Sequence, residues 1–173
     1  MSAEPVAARD SESRLVVESR TIDPEIEEGH ARLRLAIVEV DDADASDPAE
    51  RPAPARVVVK APGGVAIDGA LRGVYDDGRF YVDGGFEVTV PAGSLDVSIA
   101  HGPEVEPLET ALEIRSGERI EARAILVRWR RLSARGWRSG DLHVHARHDA
   151  VGAIRSDLAW MALQARANGL DFV

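Results

Sequence analysis

The chain has 173 residues, 45% of them hydrophobic, with 21 Lys and Arg against 30 Asp and Glu and no cysteine. That length holds one ordinary domain, or a small domain and part of a second, and it can bury a core without staples. The missing cysteines exclude disulfide frameworks and thiolate metal sites, and a net charge of −9 argues against a nucleic-acid partner held by phosphate neutralisation.

The charge is unevenly placed. Residues 1–50 hold 14 acidic and 5 basic side chains, and the remainder is neutral, with 16 of each sign. No apolar run approaches the roughly 20 residues of a membrane span, so no membrane partner is expected. The N-terminus lacks the basic start and apolar stretch of a secretory signal, which points to a cytoplasmic location.

Residues 1–12 are small, polar and charged, and are read as a disordered tail. Leu15, Val16 and Val17 suit a short strand. Leu33, Leu35 and Ile37 alternate with Arg32, Arg34 and Ala36, the period-2 pattern of a half-buried strand. Val38 and Val40 extend it with a change of phase. Residues 41–55, rich in Asp, Ala and Pro, read as a loop, and Val57 to Val59 as the next strand.

Asp77-Gly78 and Asp83-Gly84-Gly85 bracket Arg79-Phe80-Tyr81-Val82, and Asp-Gly between β-rich runs is a hairpin signal. Phe86, Val88 and Val90 then alternate with Glu87 and Thr89. Leu95, Val97 and Ile99 form another alternating run, Leu112 and Ile114 come next, and Ile120, Ala122, Ala124, Leu126 and Arg128 share one phase of a long final run. About seven short strands with turns between them predict a mainly β fold, an antiparallel β-sandwich of the Ig-like or prealbumin-like kind over residues 13–131.

Residues 132–140 read as a connector. Asp141-Leu142-His143-Val144-His145 reads as a short strand. Residues 156–168 read as a helix with Ser156 as N-cap, Asp157 in the first turn, Gly169 as C′, and Leu158, Met161, Ala162 and Ala165 on one apolar face. Leu170 to Val173 begin another strand-like run. Strand, helix and strand are the opening of a βαβ unit. Such a unit cannot close a core alone, so the chain is expected to be the N-terminal part of a longer protein, with 141–173 as the start of its second domain.

The residues that carry chemistry are His143 and His145. On a strand, positions i and i+2 face the same side, so two imidazoles can reach one metal or a pair, and imidazole suits Zn, Mn or Fe without distinguishing them. Asp141 falls on the same face and could orient an imidazole or join the metal shell. His30 and His101, each beside a glycine, read as turn residues. Asp76, Asp77 and Asp83 lack the ligand order of a calcium loop and are explained by their turns. The arginines at 128–138 read as partners for acids of the β domain or as cover for an interdomain surface, rather than as an anion site, and Trp129 and Trp137 as core or interdomain packing.

The run Gly136-Trp137-Arg138-Ser139-Gly140-Asp141-Leu142-His143-Val144-His145 resembles the opening motif of PHP-domain (polymerase and histidinol phosphatase) metallohydrolases. Within them it is similar to the carbaryl-hydrolase-like CehA/McbA group, whose members often carry a β domain before the catalytic one. The helix and residues 167–173 also look like that family's first α-helix and second strand. The resemblance implies a distorted βα barrel, divalent metal bound by His143 and His145, and hydrolysis of a small-molecule phosphoester, carbamate, ester or amide by a metal-activated water. Ala146-Arg147-His148-Asp149 departs from the small hydroxyl residue and Ser-Asp-Gly segment common in the family, so no role passes to His148 or Asp149. The family's later ligands have no counterpart here, and the chain by itself is expected to be inactive. The alternative is a β-sandwich interaction module without catalysis. Neither substrate, oligomeric state nor the module's ligand is legible.

Overall fold

The computed structural model describes residues 12–41, 49–61, 74–75, 77–144 and 157–173. Among the described residues nine strands run in chain order: β1 Arg14–Ile22, β2 His30–Asp41, β3 Arg51–Pro52, β4 Pro54–Lys60, β5 Arg79–Asp83, β6 Gly85–Pro91, β7 Gly93–Ala100, β8 Leu108–Ile114 and β9 Glu118–Arg128. One sheet has the order β1-β9-β2-β3, with β6 also paired to β2, and the other the order β5-β4-β7-β8.

The alternation read along each strand produces the core. Leu33, Leu35 and Ile37 of β2, Val88 and Val90 of β6, and Ile120, Ala122, Ala124 and Leu126 of β9 meet Val57 and Val59 of β4, Phe80 and Val82 of β5, and Leu95, Val97 and Ile99 of β7 in one buried cluster. The rings of Phe80 and Phe86 meet edge to face at 5.1 Å between the two sheets, a geometry aromatic pairs favour.

Strand partners are less local than the turns suggest. β2 runs parallel to β9, from Arg32 beside Arg119 to Asp41 beside Arg128, and β9 stands between the consecutive strands β1 and β2. The Asp83-Gly84-Gly85 segment is not a hairpin. It carries the chain from β5 in one sheet to β6 in the other. A Cβ at Gly85 would lie 2.5 Å from the Leu35 carbonyl oxygen, so this crossing admits glycine alone. The Asp77-Gly78 turn does fold back on itself, with the Tyr75 N–H donating to the Arg79 carbonyl at 2.8 Å.

Two boundaries move. The loop assigned to 41–55 ends early, because Arg51–Pro52 pair with Val38 and Glu39 and Ala53 and Ala55 are buried. The phase change at Val38 does not occur. Glu39 keeps the inward phase of Leu33, Leu35 and Ile37 and is buried, while Val38 and Val40 join Val16, Ile125 and Val127 in a second apolar cluster.

After β9 a 3-10 turn, Leu132–Arg135, leads to Gly140, and a helix, α1 Leu158–Ala167, comes later in the chain. Asp157 caps it: its Oδ1 accepts the Trp160 N–H at 2.8 Å. The expected cap, Ser156, lies outside the described residues, as do residues 1–11, Asp76, His145, His148 and Asp149. Gly169 is C′ as expected, with φ of +70°. Its N–H donates to the Arg166 carbonyl and the Leu170 N–H to the Ala165 carbonyl, both bonds of a Schellman ending.

The face of α1 differs from expectation. Trp160 and Ala167 are the buried residues, Met161 and Ala165 are half-buried, and Leu158 and Ala162 are exposed. The helix lies against β4 and β5, and what it meets there is partly polar. Trp160 packs edge to face on Tyr81 at 5.8 Å, Gln164 donates to the Tyr75 hydroxyl at 2.7 Å, and Arg166 pairs with Asp83 at 2.9 Å. No described helix is long and apolar enough to cross a membrane.

Candidate functional site

His143 sits beyond the point where the two C-terminal segments pair. Gly140 and Phe172 form a parallel bridge. The Asp171 N–H donates to the Ser139 carbonyl at 2.8 Å, and the Asp141 N–H to the Phe172 carbonyl at 3.2 Å. Asp171 also accepts the Ser139 N–H on Oδ2 at 2.8 Å, and the Ser139 hydroxyl donates to the Gly169 carbonyl. Regular pairing stops at Gly140, so Asp141 to Val144 are not the strand expected for them. Instead, Asp141 Oδ1 accepts the backbone N–H of His143 at 2.9 Å. This short local bond competes with extension of the strand, and it gives Asp141 a definite role in holding the backbone that carries His143.

His143 is exposed, and its relation to His145 lies outside the described residues. Among the described residues no group of three or more His, Asp or Glu side chains gathers at metal-binding distances. Imidazole and carboxylate are nonetheless donors suited to a divalent ion, and His143 and Asp141 lie within two residues of each other.

A second cluster escaped the sequence reading. The Arg128 guanidinium holds both Glu39 oxygens, Nε to Oε1 and Nη2 to Oε2, each at 2.8 Å, and donates Nη1 to Glu104 at 2.7 Å. His101 Nε2 lies 3.2 Å from Glu39 Oε2. Arg51 bridges Glu39 and Asp41 at 3.0 and 2.9 Å, and Arg131 pairs with Asp41. His101 is thus a nearly buried partner of Glu39 rather than a turn residue, while Arg128 and Arg131 do pair with acids of the β body. Burial alone would raise the Glu39 carboxyl, but hydrogen bonds from His101, Arg128 and Arg51 outweigh it and hold Glu39 far below the ordinary carboxylate range. The available signal was phase: Glu39, His101 and Arg128 each continue an inward-facing row.

This cluster borders the C-terminal segment. A polar cavity of about 230 Å³ is lined by His101, Glu104, Arg128 and Arg131 on one side and Ser139 and Asp171 on the other. Glu104 also accepts the N–H of Leu132 at 3.1 Å, which ties the connector to the same charges. Trp129 and Trp137, expected to be packed, are 52% and 69% exposed. Trp129 carries the Arg130 guanidinium 5.0 Å above its ring. No protein-family model, curated protein or solved structure matches the chain.

Proposed function

We propose that the chain is the N-terminal part of a PHP-type metal-dependent hydrolase, a sandwich-like β domain followed by the first β-α-β elements of an α/β barrel. The observation that carries this reading is the parallel bridge between Gly140 and Phe172 with α1 between them. It puts His143 just past the C-terminal end of the first paired segment, the end at which α/β folds build their sites.

In this reading His143 and His145 hold the metal, and Asp141 sets the backbone at His143 through its 2.9 Å bond. The chemistry that a divalent ion held by His143 and His145 would supply is a bound water of near-neutral pKa and polarisation of the group under attack. The histidines would bind as neutral imidazoles. Two imidazoles and one carboxylate are a partial ligand set, so the 173-residue chain binds metal without turning over substrate. The test is calorimetric titration of the chain with Zn²⁺ or Mn²⁺. Binding that disappears in His143→Ala and in His145→Ala supports the reading. Binding unchanged in both variants, or none in the unaltered chain, contradicts it.

A further inference from the structure

We propose that the β body acts as a positioning element for His143 through a glycine seat, Gly102 of the β7–β8 loop against Gly169 at the end of α1. The inference rests on the metal-site reading above and adds a role for a residue 41 positions away from His143 in the sequence. A Cβ on Gly102 would stand 2.8 Å from the Gly169 Cα and 3.0 Å from its nitrogen; one on Gly169 would stand 3.0 Å from the Gly102 Cα. These are backbone atoms of two left-handed residues, with φ of +64° and +70°, so no side-chain adjustment relieves the contact. Only two glycines let the segments touch.

A chain of hydrogen bonds links Gly169 stepwise to His143. The Gly169 carbonyl accepts the Ser139 hydroxyl. Ser139 exchanges backbone and side-chain bonds with Asp171. The Phe172 carbonyl accepts the Asp141 N–H, and Asp141 accepts the N–H of His143. The opposite side of the seat is anchored as firmly, since His101 next to Gly102 is held by Glu39 and Glu104 by Arg128. Moving Gly169 off Gly102 therefore moves the Ser139–Asp171 pairing that sets the backbone of Asp141 and His143. Outer supports of this kind commonly change metal affinity by about 10–100-fold.

The test compares Gly102→Ala with Gly29→Ala in the 173-residue chain. Gly29 has φ of +83°, and a methyl group on it would meet no atom within 4 Å, so alanine there brings backbone strain without collision. Two readouts are taken by NMR: the metal-free amide resonances of Ser139 to His143, and broadening of the His143 imidazole protons on titration with Mn²⁺. Gly102→Ala is expected to shift those amides and raise the Mn²⁺ midpoint about tenfold, leaving mid-strand β2 and β9 amides in place; Gly29→Ala is expected to do neither. Unchanged amides and midpoint in Gly102→Ala, or equal effects in both variants, overturn the proposal. If the unaltered chain shows no Mn²⁺ broadening, the metal reading fails and the amide shifts alone decide the seat. Should Gly102→Ala not fold, Ser139→Ala, which removes the hydroxyl bonded to Gly169, is read by the His143 amide and the Mn²⁺ midpoint, and constancy of both overturns the proposal.

Discussion

Arg128 and Glu39 meet through two parallel 2.8 Å bonds at the end of neighbouring parallel strands. Each stands in the inward phase of its own strand, two positions past Leu126 and Ile37 respectively. The charged pair therefore closes the end of the apolar core, and Glu104, Arg51 and the His101 imidazole gather on it.

Removing one member leaves the other buried with incomplete pairing. Arg128→Met is expected to lower unfolding free energy by about 3 kcal/mol, while Glu39→Met together with Arg128→Met recovers much of the loss, because uncompensated buried charge is the costly state. Urea denaturation of the two single variants and the double variant gives the comparison. A double variant as unstable as the sum of the singles contradicts the pairing.

Acid should unfold the protein through these carboxylates. Glu39 is lowered despite its burial, by bonds from His101, Arg128 and Arg51. Asp41 is lowered chiefly by Arg131. Glu118 is lowered, against its own burial, by the Arg115 N–H and by Arg20. Folded values below unfolded ones mean stability that is fully present above the ordinary 3.8 for Asp and 4.5 for Glu. It is lost progressively as pH falls below them. Urea midpoints measured from pH 7 to pH 3 should fall steeply below about pH 4.5, and Glu39→Gln should be less stable at pH 7 with a shallower fall. Identical slopes would count against Glu39 as a main contributor.

The docking of α1 on β5 turns on Trp160 and Tyr81. A double-mutant cycle to Ala at both positions should give a coupling of about 0.5–1.5 kcal/mol for the edge-to-face pair. Amide exchange should show α1 less protected in Trp160→Ala while β4 and β5 keep their protection. Equal protection of the helix in variant and parent would show that the contact does not hold it.

Asp157 should matter for α1. Asp157→Ala removes the acceptor of the Trp160 N–H and is expected to cost about 1 kcal/mol, with Asp157→Asn restoring most of it, because Asn caps nearly as well. Helical ellipticity and the thermal midpoint read the two substitutions. Equal losses in Ala and Asn would assign Asp157 some role other than capping.

Much of the fold is local chemistry and could be read along the chain. The period-2 rows of β2, β6, β7 and β9 name the core residues, since a pleated strand sends alternate side chains to opposite faces. Gly169 ends α1 because a left-handed residue is needed there. Other features are set by contacts outside local sequence. The inward place of Glu39 depends on Arg128, 89 residues away, and the sequence names neither as the partner of the other. The buried face of α1 is set by Tyr75, Tyr81 and Asp83, which offer the helix a half-polar surface that no apolar stripe anticipates. The Asp83-Gly84-Gly85 turn chemistry was right, but a turn does not say whether the next strand rejoins the same sheet.

The order of residues along the chain sets which side chains alternate, where glycine must turn the backbone, and that His143 and His145 are the imidazoles to consider. That β9 enters between β1 and β2, that opposite charges cap the core, and that Gly102 touches Gly169 follow from the folded arrangement. Those are contacts between segments distant in the chain, and their energies depend on burial and pairing that exist only once both segments are in place.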